Sequence, residues 1–191
     1  FYNPAICNGR LTLTSGTAVT ASDVTGATSV YFTPYNGNRI SIYDGTRWEL
    51  YTFTEVTLAL GTITDAKNYD VFIYDNAGTL TLEALAWTND TARATAITLQ
   101  DGIYCKDGTL TRRYLGTLRT TATTTTEDSA AKRFLWNMYN RVSRALYKTD
   151  ATASWTYTTA TWRQANGSTA NQVAVVCGLN ADPVRLIGHA R

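Results

Sequence analysis

The residue types that carry most enzyme chemistry are sparse in this chain and do not fall into a catalytic or metal-binding pattern. His189 is the only histidine, and no GxSxG-type nucleophile motif accompanies it. The three cysteines lie far apart without CxxC spacing, so they predict no zinc site. Phosphate-binding motifs of the GxxxxGK[ST] and GxGxxG types are missing. The sequence therefore predicts no catalytic residue, no metal and no cofactor.

Acidic residues are the remaining candidates for catalysis, because a pair of carboxylates can hydrolyse a glycosidic bond. The candidates are Asp44, Glu49, Asp65, Asp70, Asp75 and Asp101. Most of them stand at glycine turns or strand ends, where an aspartate side chain hydrogen-bonds the local backbone. We predict that local role for them. A polysaccharide-degrading enzyme remains an alternative function.

Aromatic side chains offer a binding chemistry. Trp155, Tyr157 and Trp162 are close together in the segment SWTYTTATW, and Trp155 and Tyr157 would share one side of a strand. If exposed, the three side chains could stack on a sugar ring or contact another subunit. If buried, they would belong to the core of a sandwich. Both alternatives stay open, and a carbohydrate-binding module is a further alternative function.

A second cluster alternates arginines with aromatic residues. We predict an oligomer face made of Trp136, Tyr139, Arg141 and Arg144, because arginine packs over aromatic rings and is enriched at subunit interfaces. The arginines are separated by apolar residues and the net charge is only +2, so no nucleic-acid partner is predicted. No apolar run approaches the ~20 residues of a membrane span, so no membrane insertion is predicted.

The elements that must position these residues are predicted to be strands. Threonine, which is β-branched and favours strands, supplies 35 of the 191 residues, while only 17% are charged. Three segments, 33–53, 69–87 and 104–119, have alternating polarity around glycine turns, which indicates hairpins. We therefore predict an all-β fold, an antiparallel β-sandwich of jelly-roll type with at most one or two short helical turns.

The apolar pattern also predicts the register of two hairpins. In the first, matching apolar residues across the strands favours a three-residue loop that pairs Ile42 with Trp48. In the second, a four-residue loop pairs Ile73 with Leu80. Each hairpin would then have one apolar and one polar face, as in a half-buried antiparallel sheet.

The rest of the chain is divided by composition and turn residues. Residues 1–30 are predicted to be an entry segment with an edge strand, and residues 31–191 the β-sandwich domain. The threonine-rich run 120–126 is interpreted as a linker, and a strand is expected from residue 133 onward, with one helical turn before it. Further strands are predicted at 144–148, 154–157, 161–163, 172–177 and 184–188.

Several segments, taken as a set, resemble a known kind of module. They are TPYNGNRISIYDGTRW, TEVTLAL, KNYDVFIYD, AWTNDTARAT, TRRYLGTLRTTATTTTEDSAAKRFLWNMYNR and SWTYTTATWRQAN. Together they resemble a module of virion structural proteins of tailed bacteriophages, in fibre- or spike-like head and tail components. The resemblance covers roughly residues 31–165 and includes no catalytic motif.

This resemblance implies a β-sandwich unit, usually trimeric, that is attached to the particle and often faces a host surface. We therefore expect a non-enzymatic virion structural protein that forms a homotrimer. Its expected partners are other virion proteins, with a glycan of the host cell surface as a further candidate, and its expected location is the virion.

Overall fold

A computed structural model describes residues 2–182, of which almost all the regular structure is strand. The strands are β1 (Gly9–Thr12), β2 (Val24–Ala27), β3 (Ser29–Pro34), β4 (Arg39–Tyr43), β5 (Trp48–Thr52), β6 (Val56–Ala59), β7 (Asn68–Asn76), β8 (Thr79–Ala86), β9 (Ile97–Gln100), β10 (Ile103–Lys106), β11 (Thr109–Ala122), β12 (Thr125–Asp128), β13 (Lys132–Arg133), β14 (Leu135–Asn137) and β15 (Ala174–Val175). The predicted all-β, sandwich-like fold class is confirmed. His189 and the strand predicted at 184–188 lie outside the described residues.

The strands form three sheets. β3 lies between β1 and β6 in a three-stranded sheet, and β4 pairs with β5 in a separate hairpin. The largest sheet is built around β11, whose neighbours include β7, β10, β12 and β14. All of these pairings are antiparallel, whereas the short β13 and β15 run parallel. The pairing of β11 shifts register between Tyr114 and Gly116, and such a bulge bends and twists a long strand.

The hydrophobic core lies where the three sheets face one another. The small sheet contributes Leu11 and Phe32, and the ring of Phe32 stacks on Phe53 with centroids 4.8 Å apart. The other core side chains that are almost completely buried are Val30, Ile40, Ile42, Val71, Ile73, Leu115 and Leu118. Removing these apolar surfaces from water is the main contribution that stabilises such a fold. Residues 2–30 take part in it, because β1 supplies Leu11 and because Val24 and Ala27 of β2 pack against the core.

The first hairpin has its turn where the sequence predicts it, but the predicted register is wrong. Ile42 pairs with Glu49, and Tyr43 pairs with Trp48. Asp44 closes a four-residue loop, because its Oδ1 accepts hydrogen bonds from the backbone N–H groups of Thr46 and Arg47 at 2.7 and 2.8 Å. Three consecutive residues in the middle of β4 are buried, so alternation of polarity carries no information on register there.

The second hairpin is also confirmed, with a register that differs from the predicted one by two residues. A two-residue turn at Ala77 and Gly78 pairs Ile73 with Leu82 instead of Leu80. Both turn residues have positive φ, 50° and 91°, as a type I′ turn requires. A shift by two residues keeps each side chain on its predicted face, so only the cross-strand partners change.

Threonine misleads the prediction in the second half of the chain. Residues 120–126 are not a linker, since β11 continues to Ala122 and β12 begins at Thr125. Thr126 is buried there, and its hydroxyl donates to the carbonyl of Arg119 at 2.6 Å. The helical turn expected before residue 133 does not form, and the strand expected from that residue is the short β14.

The strands predicted at 144–148, 154–157 and 161–163 are wrong, because residues 141–164 contain no regular secondary structure. Within 172–177 only β15 is a strand, and a 3-10 turn lies at Ala165–Gly167. Alternating polarity alone does not make a strand. The backbone N–H and C=O groups also need a neighbouring strand as a partner, and residues 2–182 provide none for this segment.

Close approach of β11 and β14 depends on Gly116. A Cβ at this position would overlap the carbonyl oxygen of Trp136 in β14. We expect Gly116→Ala to lower the free energy of unfolding by about 2 kcal/mol, because the two paired strands would have to move apart. The change is measured by urea denaturation followed by tryptophan fluorescence.

The control for this variant is Gly61→Ala. Gly61 has open space around its Cβ position but a φ of +59°, so its replacement should lower stability by about 1 kcal/mol through backbone strain alone. Equal losses for the two variants would contradict a steric role for Gly116.

Candidate functional site

The first candidate site is a long segment without secondary structure, residues 141–164, which we call the arm. It carries all three aromatic residues that the sequence singles out: Trp155 and Tyr157 are each 47% exposed, and Trp162 is fully exposed. They do not belong to the core. The guanidinium of Arg163 lies 4.4 Å from the centroid of the Tyr157 ring, so part of that ring is covered. Tyr147, near the start of the arm, is exposed as well.

The arm is held to the sheets near its beginning. Arg133 donates two hydrogen bonds to the carbonyl of Ala145, at 3.0 and 2.7 Å, and the N–H of Tyr147 donates to the carbonyl of Ala130 at 2.8 Å. Beyond residue 147, the hydrogen bonds between the arm and the rest of the described chain involve residues 166–172, such as the 3.1 Å hydrogen bond from Asn166 to Thr152. Loops of this length without their own secondary structure are uncommon in compact domains and are often functional.

The second candidate site is a cleft of about 160 Å³ beside the start of the arm, which we call the arginine cleft. It is lined by Arg10, Leu11, Thr12, Thr20, Asp128, Arg133, Leu135, Trp136, Asn137, Arg141, Val142, Arg144, Val175 and Val176. Three of the four residues predicted as an oligomer face, Trp136, Arg141 and Arg144, therefore meet here. Tyr139 does not line the cleft and instead packs against the core.

Two carboxylates orient three of the arginines that line the arginine cleft. Arg133 and Arg144 share the carboxylate of Asp128, at 3.1 and 3.2 Å. On the other side, Arg141 and the indole N–H of Trp136 both donate to Asp182, at 2.8 and 2.9 Å. These contacts fix the orientation of three guanidinium groups around the cleft.

Arg10 is the member of the cleft that sequence reasoning misses. It lies in β1, far along the chain from the other arginines, and no local pattern marks it. Its side chain is buried, and its Nη1 donates a hydrogen bond to the carbonyl of Ala18. Burial and the nearby charge of Arg144 lower the pKa of the Arg10 guanidinium below its usual value.

Arginines pack over aromatic rings at several places, as the sequence predicts. The guanidinium of Arg141 lies 4.4 Å from the ring centroid of Trp136, and that of Arg112 lies 3.5 Å from the ring centroid of Tyr74. The ring of Tyr114 also stacks on Trp136, with centroids 6.1 Å apart. Trp136 therefore presents little free ring surface to a ligand and serves to hold Arg141 in place.

A buried polar network connects the large sheet with the C-terminal part of the described chain. Asp70 accepts hydrogen bonds from Arg93 at 2.6 Å and from the hydroxyl of Thr117 at 2.7 Å. Arg93 also donates to the carbonyl of Gly178. The pKa of Asp70 is raised because desolvation outweighs these favourable contacts. Sequence reasoning misses Arg93, since only the fold brings it to Asp70.

The carboxylates that were candidates for catalysis are occupied mostly by local contacts. Asp65 accepts from the N–H of Ala66 at 2.6 Å, and Asp75 from the N–H of Gly78 at 2.8 Å. Asp44 and Asp75 line a cleft of about 150 Å³ together with Tyr51, and this is where a carboxylate pair would act. Backbone hydrogen bonds lower the pKa of Asp44 below its usual value, so Asp44 would be ionised and unable to donate a proton at neutral pH.

Thiol and metal chemistry have little support among the described residues. Cys7 and Cys105 are buried, and desolvation raises the pKa of each thiol to about 11, which keeps both thiols protonated and unreactive at neutral pH. Within residues 2–182, no group of three or more histidine, cysteine or acidic side chains is placed to hold a metal ion. In the same range, no helix is long and apolar enough to cross a membrane.

Comparison with known proteins finds no matching family model, no matching curated protein and no matching solved structure.

Proposed function

We propose that this chain is a non-enzymatic structural subunit of a tailed-bacteriophage virion, a fibre- or spike-like component that assembles as a homotrimer. The observation that carries the proposal is the arm, with Trp155, Tyr157 and Trp162 exposed on a segment that has no strand partner among the described residues. The virion location rests on the resemblance of residues 31–165 to phage structural modules and on the threonine-rich, low-charge composition.

The arm supports assembly for a physical reason. Burial of apolar surface contributes roughly 25 cal/mol per Å², and each large aromatic side chain offers about 150–250 Å² of surface. In a monomer the arm leaves much of this surface in water, whereas docking on a neighbouring copy would remove it. The net charge of +2 gives little repulsion between copies of the chain. A second copy of the chain is therefore the proposed occupant of the aromatic surface of the arm.

The test is the solution mass of the chain at micromolar concentration, measured by sedimentation equilibrium. We expect three chains per particle for the wild type, and a shift of the main species to a single chain for the triple variant Trp155→Ser, Tyr157→Ser and Trp162→Ser. The matched control is Leu99→Ser, which removes an exposed apolar side chain from β9 outside the arm. A wild type that stays monomeric, or a triple variant that keeps the trimer, would contradict the proposal.

Glycan binding at the arm is the second candidate function, favoured by the complete exposure of Trp162. A free indole face is suited to stacking on a sugar ring, and such a contact would serve attachment to a host surface. A glycan screen with the wild type and Trp162→Ser separates the two functions. Glycan binding by a monomer that depends on Trp162 would favour a carbohydrate-binding module, and turnover of the polysaccharide would favour an enzyme.

A further inference from the structure

The arginine cleft carries more positive charge than its own carboxylates neutralise. Four guanidinium groups line it, those of Arg10, Arg133, Arg141 and Arg144. The carboxylates in direct contact with them are Asp128, which pairs with Arg133 and Arg144, and Asp182, which pairs with Arg141. The four positive charges therefore exceed the two negative charges in contact with them by two, and Arg10 is the one guanidinium of the four with no carboxylate in direct contact among the described residues.

Arg10 is the group for which this excess matters most. Only 7% of the residue is exposed, and its guanidinium forms no ion pair with any described carboxylate. Of its five N–H groups, only Nη1 has a hydrogen-bond acceptor among the described residues, the carbonyl of Ala18, and the enclosed Nε has none. A buried cation is costly unless nearby groups balance its charge. The Tyr35 ring centroid lies 5.9 Å from the guanidinium carbon of Arg10, and Asp128 acts on it only from beyond ion-pair distance. Burial and then Arg144 still leave the pKa of Arg10 lowered, which agrees with this incomplete balance.

We propose that the arginine cleft binds a small oxyanion, namely the carboxylate, sulfate or phosphate group of an acidic saccharide or of a free ion. Guanidinium groups are suited to this ligand because their N–H groups match the geometry of carboxylate and phosphate oxygens. This site is separate from the aromatic surface of the arm, so the proposal stands or falls independently of the trimer.

The size and lining of the cleft agree with such a ligand. Its volume of about 160 Å³ equals roughly five water molecules at ~30 Å³ each, enough for one oxyanion and the group that carries it. Part of the wall is apolar, from Leu135, Val142 and Val176, and a wall of this kind strengthens the attraction between unlike charges. The bound anion would lie close to Arg144 and would compete with Asp128 for it.

Because the anion and Asp128 compete for Arg144, two substitutions are expected to change the affinity for the anion in opposite directions. Arg144→Gln removes a positive charge from the cleft, so we expect it to bind the anion about tenfold more weakly, as for loss of one charge-assisted hydrogen bond. Asp128→Asn removes the competing carboxylate, so we expect it to bind the anion several-fold more tightly. Arg141→Gln, on the more exposed side of the cleft, should also weaken binding and serves if Arg144→Gln does not fold.

The experiment is a calorimetric titration of the full chain at low ionic strength, where screening is small. The probes are sodium sulfate, sodium phosphate and sodium glucuronate, with glucose as the uncharged comparison. The control variant is Arg47→Gln, which makes the same change of charge in the exposed turn between β4 and β5 and does not line the cleft. Comparison of the glucuronate titration with the sulfate and phosphate titrations distinguishes an acidic saccharide from a free ion.

The site would be established if at least one of the three anions binds saturably and the variants change its affinity as expected. Arg144→Gln or Arg141→Gln should weaken the binding, Asp128→Asn should strengthen it, and Arg47→Gln should leave it unchanged. The proposal is overturned if none of the anions binds at millimolar concentration. It is also overturned if Arg47→Gln weakens binding as much as the cleft variants do, because binding would then depend on overall charge alone.

Discussion

Replacing Arg113 with alanine is expected to lower the free energy of unfolding by about 4 kcal/mol, the largest effect of any single substitution considered for this protein. Arg113 lies in β11, and its side chain is completely buried. Among the described residues it has no carboxylate partner. Its charge is instead balanced by backbone carbonyl groups and by aromatic rings.

The contacts of Arg113 join distant parts of the chain. Its Nη1 donates to the carbonyl groups of Pro4, Ile6 and Ser41, at 2.9, 3.0 and 2.7 Å. The guanidinium carbon lies 4.6 Å from the ring centroid of Tyr139. Alanine would leave a cavity and three carbonyl groups without this donor. It would also remove one link between the N-terminal segment and β4, although backbone hydrogen bonds such as that from Ser41 to Ile6 remain.

Two further variants separate these causes. Arg113→Met keeps most of the volume and removes the buried charge, so we expect it to lose about 2 kcal/mol less stability than Arg113→Ala. Arg112→Ala is the matched control, because the neighbouring arginine is partly exposed and pairs with Glu83. Stability is measured by urea denaturation, and a stable Arg113→Ala with an unchanged midpoint would show that these contacts contribute little.

The second large effect is expected for Arg93→Met, which leaves the buried carboxylate of Asp70 without its cation. We expect the free energy of unfolding to fall by about 3 kcal/mol at neutral pH, since removal of one member of a buried ion pair leaves the other charge buried without a partner. The carboxylate of Asp70 is almost fully enclosed, and in the variant only Thr117 would remain as a close hydrogen-bond donor to Oδ1. The variant would also lose the contact with the carbonyl of Gly178.

The effect of this variant should depend on pH with a definite sign. In the wild type the pKa of Asp70 is already raised above the ordinary value of 3.8 by burial, although Arg93 lowers it in part. Without Arg93 the folded-state pKa must rise further. An acid with a raised folded-state pKa binds protons more tightly when folded, so the free energy of unfolding falls as pH rises from the unfolded pKa through the folded one. The loss in Arg93→Met is therefore smallest below pH 3.8 and largest at neutral pH.

Thermal denaturation of both proteins at acidic and neutral pH measures this difference. The matched control is Arg119→Met, because Arg119 also pairs with an aspartate, Asp90, whose side chain is 69% exposed and remains solvated after the change. We expect little effect of pH on the loss caused by Arg119→Met. A pH-independent loss in Arg93→Met would mean that Asp70 does not titrate as described.

The sites of the turns are predictable from the sequence, because a turn depends on a few adjacent residues. Asp-Gly at 101–102 and the glycine at 108 both mark turns that the structure confirms. The exact register of strand pairing is harder to predict from the sequence. Asp44 shifts the first hairpin through hydrogen bonds of its side chain, and a prediction based on apolar matching cannot include them.

The candidate sites also differ in how much of each can be predicted from the sequence. The aromatic residues Trp155, Tyr157 and Trp162 are visible in the sequence, but whether they are buried depends on a strand partner, which residues 141–164 lack within the described part of the chain. Arg10 and Arg93 carry no local signal, because their partners come from elements far away along the chain. The arginine cleft and the Asp70 network therefore cannot be predicted from spacing.

The sequence by itself determines the all-β class, the positions of the main turns and the pairing of arginine with aromatic rings, because these follow from β-branched residues, glycine turns and local chemistry. The tertiary structure alone decides which arginines share a cleft, which carboxylate is buried and which segment remains without a partner. These outcomes depend on contacts between residues far apart in the chain, and the same local sequence is compatible with several such arrangements.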